Sequence, residues 1–190
     1  MKKPWLIFAG LCAVVLAIVM FSVIFGSYTS MLRSKNRINT GKDLMVAACH
    51  DQLDLVLEMA SLVPDGIDTQ VLSRIHDTAG KIPPILTGFQ ASDAPLAPDL
   101  VTAFEDAQSR LAKDLDILAR DIGQTHPLIQ EMSTLYLKTI YAAKRYNREA
   151  AYFHTRKTVF PGIFTARWFN LDVLHFPQID LTCFDPWGLK

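Results

Sequence analysis

Catalysis and metal binding need particular side chains at particular spacings, so the histidines, cysteines and carboxylates of this chain come first. Five histidines and three cysteines are spread over 190 residues. His50 and Asp54 stand four apart, which on a helix puts an imidazole and a carboxylate on one face. Two ligands are too few for a metal site, and a solvated polar face accounts for the pair. No glutamate has a histidine three residues on, so the Glu-x-x-His element of a di-iron bundle is missing. The chain also lacks Cys-x-x-Cys, Gly-x-Ser-x-Gly and a glycine-rich phosphate loop. Cys49 shares an apolar stripe with Met45 and Leu53, which reads as a buried, inert thiol. His76 and His175 stand alone. The expectation is a non-enzymatic protein with no cofactor and no metal.

What does recur is a pattern of pairs. In RYNREAAYFHTRKTVFP, Tyr146-Asn147 is followed seven residues later by Phe153-His154, and then by Phe160-Pro161. Asn147 lies at the flank of an apolar stripe, where a side-chain amide needs a partner once the helix packs. A hydrogen bond that fixes register in a helical bundle is the expected role. The residue before proline is disfavoured in the helical region, so the helix should end near Phe160 and Pro161 can open a short final one.

The elements that must position these residues follow from hydropathy. Trp5 to Phe25 carries no charged side chain and matches the ~20 residues that a helix needs to cross a bilayer. The run exceeds a signal-peptide core and lacks a small-x-small cleavage site, and Leu11 before Cys12 argues against a lipoprotein signal. A retained, single spanning helix is expected. Lys2 and Lys3 precede it, while Arg33, Lys35, Arg37 and Lys42 follow it, an excess that favours a cytoplasmic domain. Cys49 and Cys183 could pair in an oxidising compartment or remain free thiols.

Helical periodicity fills most of the remainder. Ile38, Met45, Cys49, Leu53, Val56, Ala60 and Val63 continue from the spanning helix to a break at Pro64-Asp65-Gly66. A second helix is expected from Asp68 as cap through Val71, Ile75 and Ala79, with Gly80 as its stop. Lys81 to Pro98, with four prolines and a glycine, reads as a long loop. Leu100, Phe104, Ala107, Leu111, Leu115, Leu118 and Ile122 define a third helix ending at Gly123. A fourth starts at Thr125 with Pro127 in its first turn and carries Leu128, Met132, Leu135, Thr139, Ala142, Tyr146, Ala150 and Phe153. Single apolar faces of this kind are buried only by packing on one another. The fold class expected is all-α: a transmembrane helix continuing into an antiparallel, up-down bundle of about four helices. The divisions are 1–26 for tail and span, 27–169 for the bundle and 170–190 for a C-terminal tail.

These residues resemble the LemA family of bacterial single-span helical-bundle proteins over about Tyr28 to Phe169. Tyr28-Thr29-Ser30-Met31-Leu32, Lys35-Asn36-Arg37-Ile38 and Asp54-Leu55-Val56-Leu57-Glu58-Met59-Ala60 are similar to family patterns. The clearest likeness is the series Tyr146-Asn147, Phe153-His154, Phe160-Pro161. Thr29 and His154 stand where the family has asparagine, Leu57 where it has proline, and a tryptophan near Asp43 is absent. The resemblance implies a bundle on a membrane anchor and supplies no catalytic activity.

Nineteen basic residues balance nineteen acidic ones, so bulk charge gives no reason to expect nucleic acid as a partner. A modest band of Lys144, Arg145, Arg148, Arg156, Lys157 and Arg167 suits anionic lipid or an acidic partner, or else pairs with Asp114, Asp116 and Asp121 of the third helix. Beyond Phe160-Pro161, Arg167, Trp168 and Phe169 place aromatics beside a cation, as a membrane interface favours; capping of the open bundle end is the competing role. The expected partners are the lipid bilayer and other membrane or envelope proteins of the bacterial inner membrane. The expected function is a scaffold or adaptor, and the alternative is a sensory bundle that binds a small molecule between its helices.

Overall fold

In a computed structural model, residues 3–61, 69–91, 95–123 and 126–184 are described. The molecule is all-helical, with no strand among those residues. Five helices follow in order: α1 (Lys3–Ser61), α2 (Thr69–Gln90), α3 (Pro98–Ile122), α4 (Pro127–Thr158) and α5 (Gly162–Trp168). A 3-10 turn, Leu181–Phe184, ends the described chain.

The first helix is one uninterrupted rod of 59 residues, roughly 90 Å long at 1.5 Å per residue. Its apolar N-terminal part is left almost entirely unburied and is long and apolar enough to cross a membrane. Beyond it the stripe Met31, Ile38, Met45, Cys49, Val56 and Met59 is buried. The predicted break at Pro64-Asp65-Gly66 and the predicted caps at Asp68 and Thr125 lie outside the described residues.

Helix α4 runs antiparallel to α1 along most of its length. Ser34 Oγ donates to the Glu149 carbonyl, and Tyr28 stacks on Phe169 with ring centroids 4.1 Å apart. Midway, a Cβ at Gly41 would sit 3.1 Å from the Tyr146 Cα, so glycine lets the two backbones close up. The α2–α3 hairpin lies against α1, and the final 3-10 turn contacts both α3 and α4.

Two expectations for the middle of the chain are overturned. Gly80 does not stop α2, and Lys81 to Pro98 is not one long loop: the helix continues through Pro83 and Pro84 to Gln90. The stripe Val71, Ile75, Ala79 simply extends to Ile82, Leu86 and Phe89, all buried. A helix-interior proline costs ~3 kcal/mol, whereas full burial of each large apolar side chain contributes ~1.5–3 kcal/mol. Both prolines lie on the exposed face, so their rings meet solvent and the burial of the stripe prevails. Helix α2 ends only at Gln90, and α3 already begins at Pro98.

The third helix ends as expected, with Gly123 at φ 100° closing it and its N–H bonded to Ala119. The fourth is capped by His126, whose Nδ1 accepts from the Leu128 N–H, and stops at Val159 in extended conformation ahead of Phe160-Pro161. Pro161 then leads into α5. That helix ends with Asn170 at φ 52° and the Leu171 N–H returning to the Ala166 carbonyl at 2.8 Å. An asparagine tolerates this left-handed position, and the turn sends the chain back along α4.

The α2–α3 hairpin is shorter than the α1–α4 pair, so it covers only the part of their common face far from the apolar run. Residues 171–184, expected as part of a tail, fill the remainder. Leu171, Phe176, Ile179, Cys183 and Phe184 belong to the same core as the helices. Phe184 packs on Phe104, which packs on Phe89, with centroid separations of 5.7 and 5.1 Å.

Candidate functional site

The paired motif on α4 divides its labour by helix face. Tyr146 and Phe153 point into the core and are almost fully buried. Asn147 and His154, one position on, point to its flank and grip the returning chain. The Asn147 Nδ2 donates to the Ile179 carbonyl at 2.7 Å, while the Ile179 N–H donates to Asn147 Oδ1 at 2.9 Å. His154 Nε2 lies 3.2 Å from the Phe176 nitrogen and 3.0 Å from its carbonyl oxygen, so it accepts from one or donates to the other according to its tautomer. Lys157 Nζ donates to the carbonyls of Asp172 and Leu174, at 3.0 and 2.7 Å.

Geometry accounts for the seven-residue spacing. Seven residues of helix advance about 10.5 Å, and three residues of extended chain advance about 10 Å. Asn147 and His154 are seven apart, and their partners Ile179 and Phe176 are three apart in the opposite direction. The non-helical segment 174–180 therefore lies antiparallel to α4, in register with every second turn of it. Phe153 meets Phe176 edge-on at 5.2 Å beneath the polar contacts. The expected hydrogen bond of Asn147 exists, but its partner is this strap and not another helix of the bundle.

Phe160 and Pro161 sit at the corner between α4 and α5, opposite Met20, Val23 and Ile24 at the end of the apolar run of α1. Helix α5 has two unlike faces. Gly162, Thr165 and Ala166 are buried against the bundle end, and a Cβ at Gly162 would fall on the Arg156 carbonyl oxygen. Phe160, Ile163, Phe164 and Trp168 face outward, with Trp168 68% exposed. Arg167 is exposed among them, and Phe169 stacks on Tyr28.

The basic band does not pair with the acids of α3: Asp114 takes Arg74 at 3.0 Å and Asp116 takes Arg120. His50 and Asp54 are exposed, and no group of three potential metal ligands occurs among the described residues. Cys49 and Cys183 are free thiols, both buried. Burial pushes the Cys49 thiol up to about 12 and raises Cys183, Tyr136 and Tyr146 as well.

Two features escaped the sequence reading. Lys157 belongs by sequence to the basic band, and nothing local marks it as a strap residue. Gln52 and Gln108 are fully buried in the bundle centre. Gln108 donates to Cys49 Sγ at 3.7 Å while its carboxamide oxygen lacks a hydrogen-bond partner, and the Gln52 amide lies beside the Tyr136 hydroxyl. Their place between stripe residues, Gln52 between Cys49 and Val56 for instance, was the available signal. No family, curated protein or solved structure matches the chain.

Proposed function

We propose that this is a non-enzymatic, single-span protein of the bacterial inner membrane, a divergent member of the LemA family that serves as a scaffold or adaptor for other envelope proteins. The observation that carries the reading is the continuity of α1, one helix from the apolar run into the bundle. A rod without a hinge holds the bundle at a fixed height and azimuth above the bilayer, which suits presentation of a surface. The family proposal draws on the strap, because His154 Nε2 bonds the backbone of Phe176 from the motif position equivalent to that at which Asn147 makes two bonds to Ile179.

A groove of about 430 Å³ between α1 and α4, with Leu44 and Tyr141 at its exposed edge, is the surface to test. A photo-crosslinking residue at Tyr141 should trap one reproducible membrane partner in living cells, and Asp at Leu44 should abolish the adduct. No adduct from Tyr141 or from an equivalent probe at Lys113 would end the adaptor reading. The second reading, a small molecule bound between helices, draws on the incompletely satisfied amide of Gln108. A ligand-dependent rise in melting temperature that disappears in Gln108→Leu would favour it.

A further inference from the structure

Two clefts meet at the Phe160–Pro161 corner, and their linings differ in kind. The upper one, of about 440 Å³, lies between Gly26, Ser27 and Ser30 of α1 and Arg156 and Val159 at the end of α4. Its polar groups are two serine hydroxyls and a guanidinium that donates to Ser30 Oγ. The lower one, of about 210 Å³, has Met20, Val23 and Ile24 on one wall and Phe160, Phe164 and Trp168 on the other. Phe160 and Pro161 line both, so polar and apolar halves are continuous. Along α1 the change from Ile24 to Ser27 takes less than one turn and coincides with the end of the run Trp5 to Phe25.

We infer that this is a binding site for one glycerophospholipid of the bilayer, with the phosphate in the upper cleft and an acyl chain in the lower. The inference rests on the reading of α1 as a membrane span, which sets the polar cleft at headgroup depth. Arginine offers five N–H donors in a planar fork suited to phosphate oxygens. One of them meets Ser30, and the Tyr152 ring supports the guanidinium from its face at 4.6 Å. Ser30 accepts that bond, which leaves its own proton for a phosphate oxygen, and Ser27 adds a second hydroxyl. Inorganic phosphate would use only the upper half. The lower half selects for a lipid, because its rings are left uncovered by protein: Phe160 is 65% exposed.

The full chain with Trp5→Phe and Trp187→Phe leaves Trp168 as a reporter on the apolar wall. In detergent micelles, phosphatidylglycerol with brominated acyl chains should quench it to saturation near one lipid per protein. Arg156→Gln and Ser27→Asp should each weaken that quenching by about tenfold, the effect of losing or opposing one charge-assisted contact. Ser27 makes no side-chain contact on which the fold depends, so that variant stands if Arg156→Gln misfolds. Unbrominated phosphatidylglycerol should compete, and glycerol 3-phosphate should not. Quenching that rises linearly with lipid and ignores both substitutions overturns the site, as does equal competition by glycerol 3-phosphate. Alkaline extraction of membranes separates the two readings: a chain that washes off loses the span itself, whereas a chain that stays but quenches linearly loses only the lipid site.

Discussion

Asn147 and His154 show how one structural task is met by two side chains. Each holds the backbone of a single residue in the strap, the amide through both the N–H and the C=O of Ile179 and the imidazole Nε2 through one of the two groups of Phe176, according to its tautomer. Replacing Asn147 by Leu adds apolar surface but strands both polar groups of Ile179. The expected cost is about 1–3 kcal/mol, measured by denaturant unfolding; a variant of unchanged or raised stability would show that the strap bond contributes nothing. A second expectation at this scale concerns Cys49. Its thiol stays protonated in the fold up to about 12, against an ordinary value of 9.0. Above pH 9 the unfolded chain releases a proton that the folded chain retains, so the stability tied to this group is complete below pH 9 and lost between 9 and 12. Melting temperature should therefore fall more steeply from pH 9 to 11 in the native protein than in Cys49→Val. Parallel curves would show that the thiol titrates normally.

At the scale of elements, α2 and the strap carry the argument. Gly80 lies within a helix, on its exposed face, and a Cβ there would meet nothing within 4 Å. Gly80→Ala should raise stability by about 0.5–1 kcal/mol, since the unfolded chain loses conformational freedom that the helix does not use. If residue 80 were the helix stop expected from sequence, the same substitution would gain nothing. The strap completes the core where the α2–α3 hairpin falls short. Removal of residues 171–190 should thus open the half of the bundle nearer the apolar run, with faster amide exchange in α4 from Tyr146 to Phe153, while the part of α3 around Leu115 remains protected. Uniform loss of protection would mean that the core is one cooperative unit that tolerates no partial opening.

For the whole molecule, the rod of α1 joins the apolar run to the bundle without a break. The excess of basic residues after that run is the ground in the sequence for expecting a cytoplasmic bundle. Lys113 is exposed on α3, and Cys49 and Cys183 are buried, so Lys113→Cys provides an accessible thiol outside the span. It should resist a membrane-impermeant maleimide in intact spheroplasts and react after lysis. Labelling before lysis would put the bundle outside. The sequence by itself determined the long apolar run, the all-helical class, the end of α3 and the break at Phe160-Pro161, because each depends on local hydropathy, helical period or the chemistry of proline and glycine. It marked Asn147 as a residue in need of a partner without revealing which, since the match between seven helical residues and three extended ones joins segments far apart in the chain. Only tertiary structure decided that α2 runs through two prolines. There the burial of Ile82, Leu86 and Phe89 against neighbouring elements outweighs a local penalty that sequence reading takes at face value. It also decided that residues 171–184 belong to the core, because the space they fill exists only where two long helices outreach a shorter hairpin.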